Sequence, residues 1–215
     1  MTWLVASTSG CNSRGDVGAH QALQEINHTV ERATLLANQM LALAKVEQLR
    51  QQPDAQALDL SDIVRAVALD LSPLVAQKNL DFEIHTVSAL VLAHDWMLRE
   101  LSRNLLHNAI KHAPTCSALS VRLAVTTGHA VLCVSDAGTG IPAELRSRLF
   151  QPFSAGTSHS GSGLGLTICL EICQTLGGVV ELVNRPAAGN VAGLDAIVRL
   201  PLADATTEAH GQGSH

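Results

Sequence analysis

The chain has 215 residues, 47% hydrophobic and 15% charged, with a formal net charge of -5. That is ample material for one aliphatic-cored domain with an appendage, and the acidic balance excludes the broad basic surface that nucleic acid or an anionic membrane requires. With no tyrosine, three phenylalanines and two tryptophans, the aromatic platforms used for single-strand binding lack raw material. Five cysteines, an odd number without closely spaced metal-like pairs, read as reduced thiols in a cytoplasmic setting. Cys169 and Cys173 read as small apolar core residues rather than ligands.

Residues 1–20 show no periodicity and are rich in Gly, Ser and Asn, so poor order is expected there. Met1 to Cys11 has the outline of a lipoprotein leader but lacks the basic start and the length of apolar run that such a leader needs. No apolar run reaches the roughly 18 residues of a membrane span. From Gln21 to Gln52 apolar residues recur at Ile26, Val30, Ala33, Ala37, Met40 and Ala44, with Leu23, Leu36, Leu43 and Val46 widening the stripe, which predicts one long helix with a coiled-coil-like seam that needs partner helices. Pro53 and Asp54 end it.

Beyond that point short elements alternate. Leu58 to Leu60 predicts a strand, and Ser61 caps a helix to about Lys78. Leu80 to Thr86 and Ala89 to Ala93 read as strands, the first by its period of two. A helix capped by Asp95 runs to His112, stopped by Pro114. Ser120 to Thr126 and His129 to Val134 form a hairpin around Thr127-Gly128. A short helix over Ala143 to Phe150, a helix from Leu164 to Leu176, and strands Val179 to Val183 and Leu194 to Leu200 complete an α+β sandwich, its sheet covered on one face by helices. Residues 203–215, with His210 and His215 among Gly and Ser, read as a disordered tail.

Three segments carry chemistry. On the helix to His112, Asn104, Asn108 and Lys111 share one stripe while Leu98, Leu101, Leu105 and Ala109 share the opposite one. Two amides and an ammonium suit a phosphate chain with a hard cation, Mg²⁺, although a solvated polar face is the alternative reading. The strand Val131 to Val134 ends in Ser135-Asp136-Ala137-Gly138-Thr139-Gly140-Ile141-Pro142. A carboxylate there is placed to accept from an exocyclic amine, with glycines leaving room for a flat ring, or it simply forms a turn. Phe150 and Phe153 flank the start of a Ser/Gly-rich loop whose glycines, Gly161, Gly163 and Gly165, run into Leu164, Leu166 and a helix, a device for bringing N–H donors to phosphate.

In order and spacing these segments resemble the N, G1, F and G2 boxes of the ATP-binding catalytic domain of sensor histidine kinases, within the GHKL superfamily that includes Hsp90, MutL and type II topoisomerases. The resemblance covers residues 55–202 and implies a Bergerat-type two-layer α/β sandwich with a mixed, mainly antiparallel sheet. It implies that Asn108 ligates Mg²⁺, with Asn104, Lys111 and His112 near the phosphates of ATP. Asp136 would hold the adenine amino group, with Gly138, Gly140 and Ile141 shaping the base pocket. Phe150 and Phe153 would anchor a lid that Gly161, Gly163, Leu164, Gly165 and Leu166 close over the phosphates, and Glu100 would position the transfer. The helix from Gln21 to Gln52 is similar to the second helix of the family's dimerisation and phosphotransfer hairpin.

The family's acceptor histidine, in a pattern like His-Glu-x-x-Thr-Pro, has no match here: His20 precedes Gln-Ala-Leu and His28 precedes Thr-Val-Glu. The expectation is therefore a fragment of an inner-membrane sensor that binds ATP or ADP in the cytoplasm but does not autophosphorylate alone. Its implied partners are its own hairpin in a homodimer and a response regulator, with no nucleic acid. A nucleotide-driven switch module without phosphotransfer, and an interaction protein with a vestigial site, are the alternatives; dinucleotide binding lacks the required strand and glycine spacing.

Overall fold

The computed structural model describes residues 13–52, 54–151, 164–187 and 190–203. Helix α1, Ser13–Arg50, precedes a small ribbon of β1 (Gln56–Asp59) and β3 (Leu90–Ala93). Between them lie α2 (Leu60–Asp70), α3 (Ser72–Gln77) and β2 (Asp81–Thr86); α4 (Asp95–His112), β4 (Ala118–Thr126) and β5 (His129–Asp136) follow. A 3-10 turn over Ala143–Arg148, α5 (Gly165–Thr175), β6 (Val179–Ala187) and β7 (Asn190–Pro201) complete the order. Strands β2-β4-β5-β7-β6 form one sheet, antiparallel except for the β2–β4 pair.

The layering follows from the side-chain periods. In β5, Ala130, Leu132, Val134 and Asp136 are buried in strict alternation, so one face of the sheet is apolar and must be covered. Helix α4 covers it with Leu98, Leu101, Leu105 and Ala109, all buried as expected, and Ile168 and Ile172 of α5 join the same core. Each fully buried leucine of this layer contributes about 1.5–3 kcal/mol. The hairpin prediction holds: Thr126 pairs with His129 across Thr127-Gly128, with Gly128 at a φ of 74°.

Several expectations are corrected. Residues 13–20 are helical rather than irregular, since no proline interrupts the run from Ser13 to Arg50. Residues 1–12 and 204–215, with their expected disorder, lie outside the described residues. The helix expected from Ser61 to Lys78 is two helices that meet at Leu71, because Pro73 cannot donate to the preceding turn. Asp59, not Ser61, caps α2, its Oδ1 accepting from the Ser61 N–H at 2.8 Å. Burial opposes the charge of Asp59, but hydrogen bonds from Ser88, Ala89 and Ser61 outweigh it and bring its pKa to about 2. At α4 the cap is His94, and Asp95 sits in the first turn, where it favours the helix dipole.

The long helix meets the domain through its last turns. Ala42 and Val46 are buried, Lys45 stands 4.4 Å from the Trp96 ring centroid, and Arg50 bonds Glu171 and Thr175 of α5 at 3.1 and 3.2 Å. Of the predicted stripe, Val46 and Leu43 make this contact, whereas Ile26, Val30 and Met40 are each more than half exposed.

Candidate functional site

Helix α4, the end of β5 with its following turn, and the start of α5 converge on a cavity of about 910 Å³. Glu100, Asn104, Asn108, Lys111 and His112 line it from α4. Asp136, Gly140 and Ile141 line it from the strand end and turn, and Gly165 and Leu166 from α5. Three segments separated by up to 66 positions in the chain are thus one site only because the sheet and α4 bring them together. Leu164 is buried beneath the helix start, and Phe150 packs partly against the core, its carbonyl accepting from Thr167 Oγ1 at 3.1 Å. Neither is among the lining side chains, so both support the wall rather than form it. Phe153, Gly161 and Gly163 lie outside the described residues.

On α4 the polar stripe is ordered by its own neighbours. Asn104 Nδ2 donates to Glu100 Oε1 and to the Glu100 carbonyl, both at 2.9 Å, which commits the amide's donor side and frees Oδ1. A Cβ added at Gly165 would stand 3.0 Å from that Oδ1 and 3.7 Å from Asn108 Nδ2, so the start of α5 rests directly over the two asparagines. Among the described residues no side chain caps α5, and a helix start carries N–H groups and a dipole that favour an anion beside the asparagines.

Electrostatics favour the same occupant. Burial, then the charges of Lys111 and Arg103, pull the His107 pKa down; burial and Lys111 do the same to His112, against the opposing pull of Asp136. Burial also lowers the Lys111 pKa. The desolvated Lys111 ammonium gains when a negative group arrives, and the same group would draw the two imidazoles back toward their charged form. Lys78 secures this end of α4, its Nζ donating to the carbonyls of Ile110, Lys111 and Ala113 at 2.8, 2.7 and 2.9 Å.

Asp136 stands opposite. Because it continues the inward register of β5, its carboxylate is carried into an apolar pocket walled by Leu182, Leu194 and Ala196, where it is 4% exposed. Burial raises its pKa, although the Gly138 N–H at 2.7 Å works the other way. Gly138 is required by space: a Cβ would lie 2.7 Å from Asp136 Oδ1 and 2.8 Å from the His112 carbonyl. A flat apolar slot with one buried acceptor, joined to an amide and cation stripe under a helix N-terminus, fits a purine at one end and phosphates at the other.

Residues 95–204 match the family described as Histidine kinase-, DNA gyrase B-, and HSP90-like ATPase. The chain belongs to that ATPase family. This ATPase is 30% identical over 183 residues to the sensor protein QseC of Salmonella typhi, covering 83% of this chain and 39% of that protein. It is 29% identical over 171 residues to the sensor protein kinase PmrB of Pseudomonas aeruginosa, covering 78% and 36%. The solved structure of the mycobacterial sensor histidine kinase MprB matches with a TM-score of 0.61 at 27% identity, over 69% of this chain and 97% of that one. The ATPase therefore spans about two-fifths of the length of these two curated relatives. Its fold and relatives are those of the ATP-binding catalytic region of two-component sensor kinases.

The structure adds residues that sequence reasoning passed over. Asn38, Ala42 and Lys45 of α1 close one side of the cavity, with Trp96 beside them, a placement that no local pattern encodes. Asn184 and Arg185 of β6 hold the turn after β5. The one signal for them was a polar pair in a strand pattern, where Asn is disfavoured.

Proposed function

We propose that this ATPase domain binds ATP together with Mg²⁺ and, within a longer sensor kinase, directs the γ-phosphoryl group to a histidine on a dimerisation hairpin. The carrying observation is the convergence of Asn108, Asp136 and the start of α5 on one cavity. On this reading Asp136 accepts from the adenine amino group, Gly140 and Ile141 flank the ring, and Lys111 and His112 face the phosphates. Leu166 and Gly165 supply N–H donors from the first turn of α5.

The donor set fits Mg²⁺. Among the described residues no group of three His, Cys, Asp or Glu is disposed to hold a metal, while the side chains of Asn104 and Asn108, each carrying an amide oxygen, line the cavity. Mg²⁺ takes one or two protein oxygens and completes its shell with water and phosphate, so Asn108 as ligand, with Asn104 held in place by Glu100, is sufficient. When bound, the cation neutralises phosphate charge; positioning and charge are most of what phosphoryl transfer asks of a protein.

The long helix would then be the second helix of the hairpin, with its exposed seam at Ile26, Val30 and Met40 turned to partner helices in a homodimer, and a response regulator would receive the phosphoryl group. The reading places the domain in the cytoplasm; among the described residues no helix is long and apolar enough to cross a membrane.

Calorimetry of the intact chain with ATP tests the first step. The expected result is binding in the micromolar range, of order 8 kcal/mol, dependent on Mg²⁺ and lost in Asn108→Ala and Asp136→Asn. No binding to the intact chain overturns the reading. Adding a separate hairpin that carries an acceptor histidine, with radiolabelled ATP, tests the second step: label on the hairpin supports a kinase. Slow hydrolysis without label identifies a nucleotide-driven switch instead.

A further inference from the structure

Residues 137–141 cross from β5 toward the 3-10 turn outside any helix or strand, and Gly140 there has a φ of 69°. Among the described residues no backbone-to-backbone hydrogen bond holds this stretch; side chains do. Gly138 N–H donates to Asp136 Oδ1 at 2.7 Å. Ile141 is held twice by one residue: its N–H donates to Asn184 Oδ1 at 2.8 Å, and its carbonyl accepts from Asn184 Nδ2 at 2.9 Å. Pro142 follows and has no N–H with which to continue a ladder.

Asn184 lies on β6 opposite Leu194, in the same register as Val180 and Leu182, and so on the helix-covered side of the sheet. A primary amide offers one acceptor and a donor in a plane, as a peptide group does. Its side chain therefore takes the place of a neighbouring strand for a turn that has none. The next residue acts at the other end of the same stretch: Arg185 Nη2 donates to the Asp136 carbonyl at 2.5 Å. Gly193 of β7 leaves room for this crossing, since a Cβ there would collide with both the Asp136 carbonyl and Arg185 Nη2. Asn184 itself is not among the side chains lining the cavity.

We infer that Asn184 is a positioning residue for the purine base: its amide clamp on Ile141 sets the width of the slot between that residue and Asp136, and thereby adenine affinity and selectivity. The inference rests on the nucleotide reading above. It makes β6, which carries none of the family boxes, part of the base-recognition apparatus.

The test uses the full chain and the variant Asn184→Ala, with Arg199→Ala as control. Arg199 pairs with Glu181 at 2.6 Å on the exposed face of the same β6–β7 hairpin, so its loss perturbs the strands without touching the clamp. Two hydrogen bonds are removed in Asn184→Ala, and the Kd for ATP is expected to rise about tenfold. The preference for ATP over inosine triphosphate, which lacks the exocyclic amine, is expected to narrow. Arg199→Ala is expected to leave both quantities near wild type. Equal weakening of the two nucleotides by Asn184→Ala, or an unchanged ATP Kd, overturns the inference. Hydrogen exchange at the Ile141 amide, measured without nucleotide, checks the clamp separately: it is expected to be slow in the wild type and accelerated in Asn184→Ala, and exchange equal in the two proteins overturns the clamp. Failure of the wild type to bind ATP would strike the nucleotide reading and leave the exchange measurement to decide whether Asn184 holds the turn.

Discussion

Helices α1 and α4 are both long and amphipathic, yet their stripes meet different fates. Every apolar position singled out on α4 is buried, and its polar stripe lines the cavity. On α1 the packed positions are Ala42 and Val46, whereas Ile26, Val30 and Met40 of the predicted seam face solvent. The lesson is that periodicity shows that a face needs covering, and only the rest of the fold shows by what. In α4 the partner is the chain's own sheet. In α1 no element among the described residues covers Ile26, Val30 and Met40.

The contrast can be broken by substitution. Leu101→Ala, at a fully buried site of α4, should cost about 2–5 kcal/mol in urea unfolding, with the spread set by how far the core relaxes. A cost below about 1 kcal/mol would mean that α4 is less tightly built in than its burial states. Gly138→Ala drives a methyl against Asp136 Oδ1 and the last carbonyl of α4; about 1–3 kcal/mol is expected from overpacking, and calorimetry should show ATP affinity falling with it.

Asp59 ties β1, α2 and the segment before β3 together, with Ser88 Oγ donating to its Oδ2 at 2.7 Å, so it sharpens the comparison between the fixed domain and the helix that precedes it. Asp59→Ala should cost about 0.5–2 kcal/mol at neutral pH as a lost cap. The folded pKa, about 2, is below the ordinary 3.8. The carboxylate's contribution is therefore complete above about pH 4 and disappears as pH falls through about 2. Unfolding midpoints followed from pH 5 to 2 should converge for wild type and variant.

Smaller effects belong to α1. Arg50→Ala removes a half-exposed pair with Glu171 and should change global stability by less than about 1 kcal/mol, while hydrogen exchange in the last turns of α1 rises. Ile26→Ala on the exposed seam should stay within about 0.5 kcal/mol for the monomer. A clearly larger loss, growing with protein concentration, would show that the seam is already buried against a second copy.

Most of the site was legible because its chemistry is local. Asn104, Asn108 and Lys111 fall on one face at any helix spacing, and Asp136 ends an alternating strand whose inward register can be counted from Ala130. The glycine at 138 is required by two atoms, one of them 26 residues away in the chain, yet its position after the aspartate was visible. What was hidden depends on distant pairings. Asn184 reaches Ile141 across 43 positions, Lys78 caps a helix that ends more than 30 positions later, and Arg50 meets Glu171 across 121. Side chains of this kind have no period and no motif, so nothing around them in the sequence marks their partners.

The break between α2 and α3 shows the same limit within a single segment. Apolar spacing from Ile63 to Val75 continues through Pro73, but the missing N–H of the proline interrupts the helix regardless of the stripe. Sequence by itself determined the layers, the faces on which the candidate site residues lie and the apolar stripe of α1, because burial period, turn chemistry and charge type are properties of neighbours. Tertiary structure alone decided that the end of α1 closes the cavity, that Asp136 is desolvated and that β6 holds the turn after β5, because those depend on which distant surfaces the sheet brings within hydrogen-bonding distance.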